Sequence, residues 1–195
     1  MKKEVLIYLE DDYADWEIAY ISPQIQRKDN DYIVKTFSLE KKEIISQGGL
    51  NLIVDYTLKD LPDDYAMVIL VGGMVYAQNN FKIPLLREFI AKTIDNNIPV
   101  GAICDASTFL GRNGFLNNIS HTGNVLYAMK EEPTLYTGDK YFVESQSVSS
   151  DNIVSANGTA SLEFAYNIMK LLKLDSEEHI EEWYSFFKEG AYKFK

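Results

Sequence analysis

The chain contains one cysteine, Cys104, within the stretch IPVGAICDASTFLGRNG at residues 98–114, where an apolar run gives way to small and polar residues. A cysteine held on a sharp strand-to-helix turn presents its sulfur beside backbone N–H groups. The nearby helix N-terminus lowers the thiol pKa toward the nucleophilic thiolate. Asp105 follows directly and acts in the opposite sense, because a carboxylate close to sulfur disfavours a second negative charge. A free cysteine is also among the most buried residue types, so an inert thiol at the end of a core strand fits the same stretch. On these residues alone both readings stand.

Three further features could serve such a sulfur. Gly72 and Gly73 close the run VILVGG and permit close backbone approach, so their N–H groups could receive charge on a tetrahedral intermediate. Glu17, in EDDYADWE, follows a tryptophan and could point inward. Buried beside Cys104 it would be protonated and would donate a hydrogen bond to the sulfur. His121, in NNISHTGN, is a candidate base, since cysteine chemistry usually employs an imidazole within hydrogen-bond reach. Each has a plainer alternative: a strand-end turn, a solvated acid, a surface histidine. His179 sits among Glu177, Glu178, Glu181 and Glu182 and reads as a solvated helix residue. The two histidines and one cysteine are not clustered, so no metal site and no cofactor are expected.

The elements that would position these residues alternate between strand and helix. EVLIYL (4–9), YIVKTFSL (32–39), YAMVILVGG (65–73) and IPVGAIC (98–104) read as strands, the strongest being short apolar runs suited to a sheet covered on both faces. The segment 13–27 reads as a helix interrupted by Pro23, 83–97 as a helix with Pro84 near its first turn, and DASTFLGRNG as a short helix after the cysteine. A turn is expected at Gly48–Gly49, one or two strands over 141–158 and a helix over 159–174. This order predicts one α/β domain over residues 1–174, a parallel sheet with helices on both faces. Ligands gather at the carboxyl ends of strands in such folds, and that is where Glu17, the VGG glycines and Cys104 fall. Residues 175–195 read as a helical extension, with Asp175 and Glu178 at N-cap spacing and Ile180, Trp183, Tyr184 and Phe187 on one face. Packing on its own domain or at a subunit interface would both suit that face.

At 195 residues with 46% hydrophobic content, the chain can bury a substantial core. A formal charge of −10 disfavours unspecific binding to nucleic acid or anionic membrane. No run is long enough to span a bilayer, MKKEVLIYLEDD reads as a first strand and not a signal peptide, and a single cysteine suits a reducing compartment. A cytoplasmic protein is therefore expected.

In YADWE, VILVGGMVYAQN, GAICDASTFL and NIVSANGTASLEFAYNIMKLL, taken in this order, the chain resembles the DJ-1/PfpI family of the class I glutamine amidotransferase-like superfamily. The resemblance spans most of residues 1–174. It implies a flavodoxin-like three-layer sandwich with Cys104 on a nucleophile elbow, Glu17 as the acidic partner, and Gly73 and the Asp105 N–H as oxyanion donors. It also implies a homodimer and a small-molecule or peptide-like substrate. Roles reported in the family include peptidase, glyoxalase-like, deglycating, redox-sensing and chaperone activities. Four departures stand out. PfpI-type peptidases carry histidine where this chain has Asp105. Alignment by residue count sets Thr122 at the position of the DJ-1-like histidine, one residue beyond His121. Asn157 stands near the place of the glutamine amidotransferase histidine, which argues against that activity, and Val71 replaces a frequent proline. The expectation is a cysteine-dependent, protease- or amidase-like hydrolase acting on a small carbonyl, amide or peptide-like substrate. The alternative is a non-catalytic, redox-responsive or chaperone-like protein with an oxidisable Cys104.

Overall fold

Short runs of apolar residues build the middle of the sheet in the computed structural model, which describes residues 2–194. Strands β1 (Lys3–Tyr8), β2 (Tyr32–Ser38), β5 (Tyr56–Thr57), β6 (Met67–Leu70), β7 (Val100–Ile103), β8 (Ser147–Ser150) and β9 (Ile153–Ala156) form one sheet in the order β5-β2-β1-β6-β7-β9-β8. Every neighbouring pair is parallel except β8 with β9. The two remaining strands, β3 (Glu43–Ile45) and β4 (Asn51–Ile53), form a separate hairpin whose turn contains Gly48 and Gly49.

Successive strand residues face opposite sides. Val5 and Ile7 of β1 and Met67 and Ile69 of β6 pack with Ile21 and Ile25 of α1 (Ile21–Ile25) and with Phe164, Ile168 and Leu172 of α6 (Ser161–Leu172). Leu6, Val68, Leu70 and Ala102 turn the other way, against Leu86 and Ile90 of α3 (Pro84–Asp95) and Phe109 and Leu110 of α4 (Asp105–Arg112). The short helices α2 (Met74–Gln78) and α5 (Leu126–Lys130) complete that second layer, α2 through Tyr76 and α5 through Met129. The result is an α/β, three-layer flavodoxin-like sandwich. No helix among the described residues is long and apolar enough to cross a membrane.

Two local expectations are revised. The helix read over 13–27 is a 3-10 turn at Asp15–Glu17 followed by the separate α1. The chain first docks on the sheet end, with the Ala14 N–H donating to Gly72 O at 3.0 Å, and Pro23 then falls in the first turn of α1, where its missing N–H costs no helical bond. In the tail, α7 (Glu177–Glu189) is capped by Ser176, whose hydroxyl accepts from the His179 N–H at 3.2 Å, and not by Asp175 with Glu178. Asp175 is engaged elsewhere, 2.9 Å from Arg27 Nη1 and 3.0 Å from His179 Nδ1. Helix α7 lies against its own chain: Ile180 is buried, Tyr184 stacks near Tyr166 at 4.6 Å, and Phe187 meets Tyr20 at 5.2 Å.

Candidate functional site

Strand β7 ends by turning sharply at Cys104, whose backbone sits at φ 60° and ψ −129° before α4 begins at Asp105. This region is costly for a residue with a side chain and persists only where the surroundings hold it. The Cys104 N–H donates to Ala156 O at 3.0 Å, and Cys104 O accepts from the Ser107 N–H at 3.0 Å. The Ser107 hydroxyl lies 2.9 Å from both Ala102 O and Ala156 O, pinning the first turn of α4 to the ends of β7 and β9. The sulfur is thereby fixed at the carboxyl edge of the sheet, on a nucleophile elbow.

Glu17 reaches the same point from the turn after β1. It is fully buried, and Oε2 accepts from the Gly72 N–H at 2.6 Å. Oε1 is buried without a hydrogen-bond partner among the described residues, and the Cys104 thiol bears on the ionisation of this carboxyl. Gly72 is needed for that approach. A Cβ on it would lie 2.6 Å from Cys104 Cβ and 2.7 and 2.8 Å from the two Glu17 oxygens. Burial raises the Glu17 carboxyl from 4.5 to about 8, against the lowering effect of the Gly72 N–H and the thiol. Burial, followed by the charge of Glu17, pushes Cys104 up to about 12, against the donated hydrogen bonds of Asn124 and the Asp105 N–H. Two acids this close ionise as a unit, and the first proton lost leaves one negative charge for both.

Asn124 reaches the sulfur from the loop before α5. Its Nδ2 lies 3.3 Å from Cys104 Sγ and 3.2 Å from Asp105 Oδ1, while its Oδ1 accepts from the Gly158 N–H at 2.9 Å. Gly158 presses on the thiol so closely that a Cβ there would sit 2.7 Å from Sγ. Trp16, half exposed, donates from Nε1 to Gly158 O at 3.1 Å and so ties the Glu17 turn to the loop after β9. Asp105 is itself raised by burial, partly offset by the Asn124 amide. Gly73, bridged to Tyr13, is the N-cap of α2, and Asp105 is the first residue of α4, so both stand just beyond strand ends.

His121, expected as the base for Cys104, is not hydrogen-bonded to the sulfur, and its ring nitrogens are engaged elsewhere. The ring is fully buried, with Nδ1 2.8 Å from Ile119 O and Nε2 2.7 Å from the Tyr136 hydroxyl. Because the carbonyl can only accept, Nδ1 carries the proton and Nε2 accepts from Tyr136, which leaves neither nitrogen free for the sulfur. Burial lowers its pKa, against the raising effect of the Ile119 carbonyl. Thr122, the position counted to the family histidine, is also buried, its hydroxyl donating to Ser145 O at 2.9 Å. His179 is exposed on α7 and paired with Asp175. Neither histidine is hydrogen-bonded to Cys104. The chain's sequence suggested Cys104, Glu17, Gly72, Gly73 and Asp105 but missed Asn124, Gly158, Ser107 and Trp16. Asn124 and Gly158 lie in the polar, glycine-containing segments HTGN and NGT, which read as ordinary loops.

Relatives share this architecture over almost their whole length. The Bacillus subtilis protein named uncharacterized protease YdeA is 38% identical over 194 residues, covering 100% of this chain and 95% of that protein. A second B. subtilis protein, uncharacterized protease YoaZ, is 28% identical and covers 95% of this chain and 91% of its own. Among solved structures, a thiJ/pfpI family protein from Bacillus anthracis superposes with a TM-score of 0.88 at 28% identity, covering 96% and 91% of the two chains. A DJ-1 superfamily protein from Agrobacterium tumefaciens gives 0.85 at 29% identity, covering 95% and 97%. The DJ-1/PfpI family profile matches residues 3–171, from the first strand to the end of α6, and with the cysteine elbow in place the chain belongs to the DJ-1/PfpI family.

Proposed function

We propose that the chain is a cysteine-dependent enzyme of the DJ-1/PfpI type acting on a small carbonyl compound. The observation that supports this most directly is the pairing of Cys104 with a buried Glu17 and the absence of a histidine at the sulfur. In the singly ionised Glu17–Cys104 pair, the Glu17 carboxylate takes the thiol proton as sulfur attacks the carbonyl carbon. The S–C bond forms, the π pair moves onto oxygen beside the Gly73 and Asp105 N–H groups, and Glu17 returns the proton to that oxygen. Atoms and charge balance in a hemithioacetal without any leaving group. The hydrolase-type alternative, cleavage of an amide or peptide, needs in addition a group to protonate the departing amine. Neither Asn124 nor the engaged His121 supplies one, so amide cleavage is the less supported form of the reading.

The test is a panel of small aldehydes, 2-oxoaldehydes, amides and peptides followed by NMR, with wild type and Cys104→Ser side by side. Aldehyde consumption by wild type alone is the expected result. Equal consumption by Cys104→Ser, or peptide cleavage with every aldehyde untouched, would overturn it. A redox-responsive reading rests on the same carboxyl, since a protonated Oε1 could donate to an oxygen carried by the sulfur. Gain of two oxygens on Cys104 after mild peroxide, read by mass, supports it; an unmodified thiol removes it.

A further inference from the structure

A cavity of about 600 Å³ has Asn124, the residue whose amide touches Cys104 Sγ, as part of its wall. Asn157, immediately before the glycine that presses on the sulfur, forms another part. The cavity is two-natured. Tyr127 and Phe142 offer aromatic surface, while Asn124, Gln146 and Asn157 offer amides, with Asn157 Nδ2 donating to Gln146 Oε1 at 2.5 Å.

Its charge is one-sided. Glu144 is the only ionisable carboxylate among the lining residues, it is exposed without an ion-pair partner among the described residues, and no lysine or arginine lines the cavity. Cations on neighbouring segments are engaged elsewhere: Lys130 pairs with Asp139, Lys140 lies over the Tyr141 ring at 4.7 Å, and Arg112 pairs with Glu131. Behind the Asn124 wall stands Asp105, whose Oδ1 accepts from Asn124 Nδ2 at 3.2 Å, in a chain of net charge −10. An anion entering here meets the Glu144 carboxylate with no lysine or arginine in the lining to offset it.

We propose that this cavity holds the non-reacting part of the substrate and selects for an uncharged or cationic, hydrogen-bonding chain that also carries apolar surface, excluding carboxylates and phosphates. Amide groups of the substrate would meet the Asn–Gln wall, and its apolar part would lie against Tyr127 and Phe142. The proposal rests on Cys104 attacking a carbonyl, and it narrows the class of carbonyl compound: amide- or hydroxyl-bearing aldehydes in place of oxo acids or sugar phosphates.

The experiment uses chloroacetamides of one chain length ending in an ammonium, a carboxamide or a carboxylate. The rate of Cys104 modification in the intact protein is followed by mass and normalised to the reaction of each reagent with a free thiol. The ammonium and carboxamide reagents are expected to exceed the carboxylate by about tenfold at low salt, a gap that closes toward ~1 M salt. Glu144→Gln should shrink the ammonium-over-carboxylate ratio roughly threefold, and Asn157→Asp should widen it. A carboxylate reagent that matches the carboxamide, or a ratio indifferent to both substitutions, overturns the proposal. Aldehyde turnover is scored separately. Selectivity without turnover would remove the carbonyl reading and leave the cavity's charge preference standing, whereas turnover without selectivity would do the reverse.

Discussion

Asn124 Nδ2 lies 3.3 Å from Cys104 Sγ, within the hydrogen-bond reach that an imidazole commonly fills in cysteine enzymes. An amide there can donate to a thiolate but cannot accept its proton. Proton removal is therefore left to the Glu17 carboxyl, and the two neighbours of the sulfur have separate roles. Asn124→Leu is expected to slow alkylation of Cys104 about tenfold, the loss of roughly one hydrogen bond to a charged acceptor. It should also cost about 1 kcal/mol of stability, because the Gly158 N–H loses its acceptor. Alkylation kinetics and a urea melt check both; an unchanged rate would mean that the amide does not stabilise the thiolate.

Glu17 sets the pH dependence. With its carboxyl raised to about 8, the Glu17–Cys104 pair carries no charge at lower pH and one negative charge above it. Cys104 alkylation should rise through a step near pH 8, and Glu17→Gln should abolish that step. The stability sign is opposite. A raised carboxyl stabilises the fold fully below its ordinary value of 4.5, and that contribution is lost as pH climbs toward about 8. Urea melts across this window should therefore show wild type losing stability relative to Glu17→Gln. A parallel pH course for the two proteins would contradict the burial of an ionisable Glu17.

Gly158 is constrained by its distance to the nucleophile, not by its backbone angles. Gly158→Ala would drive a methyl group to 2.7 Å from Sγ, so either the thiol or the loop after β9 must shift. A loss of about 1–3 kcal/mol is expected from overpacking, with Cys104 less accessible to reagents. Differential scanning calorimetry and alkylation read the two effects. Retained stability together with faster alkylation would show that the loop is not seated against the sulfur.

His121 holds two buried hydrogen bonds within the fold. His121→Phe should leave the Cys104 alkylation rate within about twofold while destabilising the protein by about 1–3 kcal/mol, since the Tyr136 hydroxyl and Ile119 carbonyl lose a buried partner. A depressed histidine contributes stability that is present above its ordinary value of 6.5 and is lost as pH falls through the lowered native value. The variant should lack this acid-side loss. A large drop in alkylation with intact stability would restore the imidazole to the site.

Much of the frame was legible because it depends on local pattern. The apolar runs of β1, β6 and β7 are short and flanked by polar turns, which suits only strands buried on both faces. The double glycine, the lone cysteine and Glu17 each stand at the carboxyl end of a strand, and the parallel order brings such ends together. Where the reading failed, contacts distant in sequence overrode local signals. The turn at residues 15–17 replaced a longer helix because Ala14 bonds to Gly72, and Ser176 became the cap of α7 because Asp175 was taken by Arg27 and His179.

The same division runs through the site. By itself, the sequence determined that a cysteine would stand after a buried strand, with an acid and two glycines at neighbouring strand ends. Which residue faces the sulfur from the loop at 119–125 was decided only in three dimensions. Two polar residues of that loop lie three positions apart, and their side chains part company: His121 bonds Tyr136 and the Ile119 carbonyl, while Asn124 bonds Cys104, Asp105 and Gly158. Side-chain direction in an irregular loop follows the partners that satisfy its polar groups, and those partners come from segments remote in the chain.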